Sequence, residues 1–194
     1  MGTKTIDFVG EGEPLLDPRI KEIVSYIHQQ GMTPVIATNG LKLAQQPELV
    51  DFLYENNATV IIKINSFDKK FQDAYVQVPG YAEKRNQALS LLMEKGFNKS
   101  TPTRLMVNTL AINNVEDILD IYRRCRENNI IPQLGEYITT GLTQGGVLQN
   151  TNPIEKNTGL TLEEKTKYLK RLEPLTHEQK VELERKAREI DKNF

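Results

Sequence analysis

At 194 residues, with 38% hydrophobic and 26% charged residues, the chain is long enough to bury the core of one domain. A formal net charge of −1 and a pI near 6.2 exclude a protein held on nucleic acid by bulk positive charge. No apolar run approaches the ~20 residues that cross a bilayer, and no secretory-signal pattern opens the chain, so a cytoplasmic location away from membranes is expected.

The first strand is expected over Thr5–Val9, breaking into Gly10-Glu11-Gly12-Glu13-Pro14-Leu15-Leu16. Gly10 and Gly12 permit positive φ and close backbone approach. Glu11 and Glu13 set carboxylates at the same rim, either to accept hydrogen bonds from a cationic amine or simply as solvated acids of a tight turn. Asp17 and Pro18 open a helix with Ile20, Ile23, Val24 and Ile27 on one face, closed by Gly31. His28 in its last turn complements the helix dipole. A second strand, Thr33–Ala37, ends in Thr38-Asn39-Gly40, completing a βαβ unit whose polar loops share the carboxyl end of a parallel sheet.

After a helix carrying Leu49, Phe52 and Leu53, the next strand spans Thr59–Ser66. Its alternation puts Lys63 and Asn65 on the face opposite Ile62 and Ile64. A lysine on an inner face costs several kcal/mol unless paired or hydrated, and Glu13 is one candidate partner. Phe67–Gly80 is expected as a long connection with a short turn at Asp68 and Lys69, followed by a helix from Tyr81 to a stop at Gly96. In the strand Arg104–Ala111, Asn108 either reaches a ligand or bonds a neighbouring strand.

The helix Val115–Asn128, capped by Asn113 or Asn114, carries the sole cysteine, Cys125, so no internal disulfide can form. The strand Ile130–Ile138 brings Glu136 to the inner face as a candidate substrate contact. The stretch 142–158, rich in Gly, Asn, Gln and Thr, is either a substrate lid or a plain loop. Thr161-Leu162-Glu163-Glu164 forms a capping box, Pro174 interrupts the helix it starts, and Thr176 restarts it. From Glu155 onward ten Lys/Arg face nine Asp/Glu, the mixture of a solvated helical face. Strict alternation of five strands with helices predicts a parallel α/β sheet with right-handed crossovers.

Gly-x-Gly-Glu-Pro-Leu-Leu followed one βα unit later by a strand ending Thr-Asn-Gly resembles the radical S-adenosylmethionine (radical SAM) superfamily over roughly Thr5–Gly141. The resemblance implies a parallel (β/α) partial TIM barrel of about five strands at 1–150, missing its first βα unit, and a charged helical extension at 151–194. In that family a reduced four-iron four-sulfur (4Fe-4S) cluster cleaves SAM to methionine and a 5′-deoxyadenosyl radical. By resemblance, Gly12, Glu13 and Pro14 hold the methionine amine, while Thr38, Asn39, Lys63, Asn65, Ser66 and Asn108 line the cofactor pocket. Lys63-Ile64-Asn65-Ser66 stands where the family has Ser-Leu-Asp-Gly, and Glu11 replaces a commoner glycine. The family's Cys-x-x-x-Cys-x-x-Cys loop is missing, so the implied function is the SAM-binding half of an enzyme core, inactive in this form and without metal ligands of its own. The cluster is then expected in a full-length parent. The alternative is a non-catalytic barrel serving as a binding or assembly module. Expected partners are the missing N-terminal segment or a second copy, joined at an open strand edge.

Overall fold

In a computed structural model the described residues are 2–8, 12–112, 114–135, 154, 157 and 159–194. Glu136 therefore lies outside the described residues, as do Gly10, Glu11, Asn113, the Thr139–Gly141 rim and nearly all of the 142–158 stretch.

The strands are β1 (Thr5–Phe8), β2 (Thr33–Thr38), β3 (Thr59–Lys63), β4 (Leu105–Leu110) and β5 (Ile131–Gly135), in the order β1-β2-β3-β4-β5 within one sheet. Pairings from β1 to β4 are parallel, with Asp7 level with Val35, Ala37 with Ile61, and Lys63 with Asn108. Consecutive parallel strands lying side by side form the wall of a (β/α) barrel, here a partial one of five strands. Helices α1 (Ile20–Gln29), α2 (Leu41–Gln45), α3 (Glu48–Glu55), α4 (Lys69–Val76), α5 (Tyr81–Lys95) and α6 (Val115–Glu127) fill the crossovers, and α7 (Leu162–Arg171) and α8 (His177–Asp191) follow β5.

The chain divides into two compact units. The first comprises Met1–Ile64, Glu83–Asn108 and Cys125–Gln133. In it, strand alternation separates two faces. Ile36, Val60, Ile62, Leu105 and Val107 are at most 1% exposed and belong to the core, together with Val24 and Ile27 of α1 and Ala88 and Leu92 of α5. By the same alternation Asp7, Ala37, Ile61, Lys63 and Asn108 share the opposite face. Gly40 adopts φ +83 to start α2, a conformation that favours glycine, and a Cβ there would also press on the Ala88 side chain at 3.2 Å.

The second unit comprises Asn65–Ala82, Thr109–Arg124 and Leu134–Phe194. Here the structure corrects the expected 67–80 connection, most of which is α4. The Asp68 carboxylate accepts the Phe71 N–H at 3.1 Å, capping the helix, and Phe71 and Ala74 bury their side chains with Ile154, Leu160 and Tyr168. That apolar face at i and i+3 is the helical signal in a short segment. Thr161 and Thr176 each close a capping box, at Glu164 and Gln179, on the two sides of Pro174. Arg171 of α7 is the polar centre of this unit. Its guanidinium donates to Asp68 at 2.9 Å, to Asn114 Oδ1 at 3.3 Å and to Asp117, and stacks 4.2 Å from the Phe71 ring centroid. Asn114 directly precedes α6, where its carbonyl accepts the Ile118 N–H at 3.0 Å, and its side chain engages Asp117 and Arg171.

Candidate functional site

At the carboxyl end of β1 the backbone turns through Gly12, at φ +101, and enters a single 3₁₀ turn, Pro14–Leu16. Pro14 fixes the first position of that turn, and the Glu13 side chain folds over it to accept the Leu15 N–H at 3.3 Å. The same carboxylate oxygen accepts the Thr38 hydroxyl at 2.7 Å, and the second oxygen accepts the Asn39 N–H at 2.8 Å. One side chain thus ties the loop after β1 to the loop after β2. The corner is completed locally, with Gly40 N–H donating to Thr38 Oγ1 and Leu41 N–H to Asn39 Oδ1.

Two features give this corner chemical capacity. Glu13 Oε2 has one described donor and room for another. In addition, no Lys, Arg or His pairs with Glu13 among the described residues, so its charge is solvated by neutral donors alone. Lys63, the candidate partner from the sequence, is not within ion-pairing distance of it. The reason lies in geometry: the Thr38 hydroxyl and the Asn39 N–H turn the carboxylate toward the loop after β2, whereas Lys63 stands at the end of β3.

Beside the corner is a cavity of about 270 Å³ lined by Asp7, Phe8, Gly12, Pro14, Ala37, Ile61, Lys63, Asn108 and Gln133. This is slightly below the ~300–1,000 Å³ of a site enclosing a whole small ligand. A Cβ on Gly12 would meet nothing within 4 Å, so the missing side chain leaves open space.

Of the residues singled out from sequence, Gly12, Pro14, Lys63 and Asn108 line this cavity, and Glu13, Thr38 and Asn39 form the stapled corner. Thr38 is fully buried with its hydroxyl bonded on both sides, so it positions Glu13, while its neighbour Ala37 faces the cavity. Asn65 and Ser66 belong to the second unit and are engaged there. Asn65 accepts the Leu110 N–H through Oδ1, and Ser66 Oγ accepts the Asp68 N–H. β3 ends at Lys63, and the turn toward α4 takes both residues out of strand alternation. Asp7 and Gln133 were not singled out. The parity of β1 places Asp7, whereas Gln133 carried no local signal, standing among mixed residues in Ile131–Gly135.

The donor set does not fit an iron–sulfur cluster. Such clusters need three or four thiolates, and the chain has one cysteine. Cys125 is 2% exposed, and burial pushes its thiol up to about 12, which keeps it protonated at neutral pH. The corner does fit the amine of SAM: an uncompensated carboxylate suits that group, and open space over Gly12 suits close approach of a ligand to the backbone.

With this α/β wall and corner in view, comparison with known proteins gives the class. The radical SAM superfamily profile matches residues 1–125, and the chain belongs to that superfamily. It is 29% identical over 156 residues to the probable GTP 3′,8-cyclase of Methanocaldococcus jannaschii, covering 79% of this chain and 49% of that protein. A solved structure of TYW1 with a lysine-pyruvate adduct bound is similar at 17% identity and a TM-score of 0.48, covering 98% of this chain and 50% of that one. The chain therefore spans about half the length of the curated relative and of the solved structure it matches. Among the described residues no helix is long and apolar enough to cross a membrane.

Proposed function

We propose that this chain is the SAM-binding part of a radical SAM enzyme core, and that the cluster which would activate SAM takes its cysteine ligands from outside these 194 residues. The observation that carries the reading is Glu13: a carboxylate with no cationic partner among the described residues, held by Leu15, Thr38 and Asn39 at the edge of a cavity. Glu13 Oε2 would hold the methionine amine of SAM through a charge-assisted hydrogen bond, the strongest contact this corner can offer. Gly12 and Pro14 form the adjoining floor, and Asn39 fixes the second carboxylate oxygen. When bound, SAM would supply a sulfonium whose adenosyl arm is the source of radical chemistry in this superfamily. The chain's own residues bind and orient it, and with one buried thiol they do not supply the electron.

β1 stands at the end of the strand order, and its outer edge would accept the partner strand that a complete core requires. Calorimetric titration tests the reading directly. The 194-residue protein should bind SAM saturably, Glu13→Gln should weaken that binding by about tenfold or more, and anaerobic iron and sulfide reconstitution should leave it without a stoichiometric cluster. Absence of SAM binding, or a brown species with four irons per chain, would refute it.

A further inference from the structure

The inner face of the first unit carries a polar strip that the SAM corner does not use. Lys63 on β3 is level with Asn108 on β4, and Asn108 Nδ2 donates to Gln133 Oε1 on β5 at 3.3 Å. All three residues line the same cavity. Three neighbouring strands thus present one continuous row of side chains.

The row has an excess of donors and a positive charge. Lys63 has no carboxylate within ion-pairing distance among the described residues, so all three of its N–H groups are available. The Asn108–Gln133 bond uses one amide hydrogen and leaves one on Asn108 and two on Gln133. The acid described in this lining is Asp7. By register, Asp7 is level with Val35 and Val35 with Thr59, so Lys63 lies four residues further toward the carboxyl end of the strands. That offset explains how both line one cavity without neutralising each other. Glu13, the other nearby acid, is turned to Thr38 and Asn39.

We infer that Lys63, Asn108 and Gln133 form a subsite for an oxyanion, a carboxylate or phosphate group carried by the enzyme's substrate. An ammonium beside two amides matches such a group, which offers several acceptors and one or more negative charges. Its assignment to the substrate rests on the proposed SAM-binding reading, because the carboxylate of SAM has the same chemistry. The oxyanion site itself does not depend on that reading.

The probes are inorganic pyrophosphate and malonate, titrated calorimetrically into the 194-residue protein with and without SAM. At least one should bind saturably at one site, Lys63→Gln should weaken it by about tenfold or more, and Gln133→Ala by a smaller factor. Lys63 is exposed, so its replacement should leave the melting curve unchanged. Asn108→Ala provides the same readout should it not. Binding of neither probe, or equal affinity in Lys63→Gln, overturns the subsite. If Lys63→Gln loses affinity for SAM but not for decarboxylated SAM, Lys63 serves the carboxylate of SAM and the substrate assignment falls. Probe binding without SAM binding would leave the oxyanion subsite standing and remove the SAM-binding reading, and with it the assignment to the substrate.

Discussion

The Glu13 corner and the Arg171 node each join loops that follow neighbouring strands, one through a carboxylate and the other through a guanidinium. Glu13 is held by three neutral donors, faces no described cation and borders a cavity. Arg171 meets two carboxylates and an amide and lies over an aromatic ring, with its side chain 14% exposed. In the node the charges of the protein satisfy one another, and the result is architecture. In the corner the geometry is equally fixed but the charge is left open, which is the condition for taking up a cationic ligand.

Mutations should separate the two regions. The largest effect is expected at the node's apolar base. Phe71 is fully buried against Tyr168, with ring centroids 5.1 Å apart, and Phe71→Ala should cost about 3–5 kcal/mol in urea denaturation. Arg171→Met keeps apolar bulk over the ring but strands Asp68 and Asp117. Because those carboxylates are 35% and 24% exposed, the cost should be about 2 kcal/mol, below the figure for a fully buried broken pair. If stability is unchanged, the node is not the polar centre of its unit.

At the corner the balance should invert, with a modest stability change and a large binding change. Glu13→Ala removes three hydrogen bonds and leaves the buried Thr38 hydroxyl without its acceptor, at about 1–2 kcal/mol. Glu13→Gln should cost less stability yet still lose SAM affinity, since it keeps the shape and removes the charge. A Gln variant that binds SAM like the parent would show that shape alone matters.

The smallest effect is acid sensitivity at Asp68. Burial pushes its carboxyl up, but the Phe71 N–H and the Arg171 guanidinium outweigh this and hold it below the usual carboxylate range. A carboxyl depressed in the folded state contributes stability above its unfolded value of about 3.9 and loses it as pH falls through the folded value. Melting temperature should therefore drop on acidification below about pH 4, and Asp68→Asn should flatten that part of the profile. An identical acid limb in both proteins would exclude the contribution.

Local patterns in the sequence are enough to locate the five strands, most helices, the capping box at Thr161 and the restart at Thr176, whose own capping box with Gln179 the structure adds. Hydrophobic period, glycine and proline breaks and cap residues act over a few positions. The Gly-Glu-Pro and Thr-Asn-Gly segments are legible for the same reason, since each is a turn whose chemistry is contained within it. α4 was obscured because its polar residues mask a short apolar face. Which residues share a cavity, which way Thr38 faces and whether Glu13 meets Lys63 were decided only by the fold. These depend on strand register and on contacts such as Thr38 to Glu13, 25 positions apart. A one-residue shift of a strand would exchange its inner and outer side chains. The sequence by itself supplied the carboxylate and the ammonium, and parallel pairing of β1 through β5 kept them apart, leaving each with its charge available to a ligand.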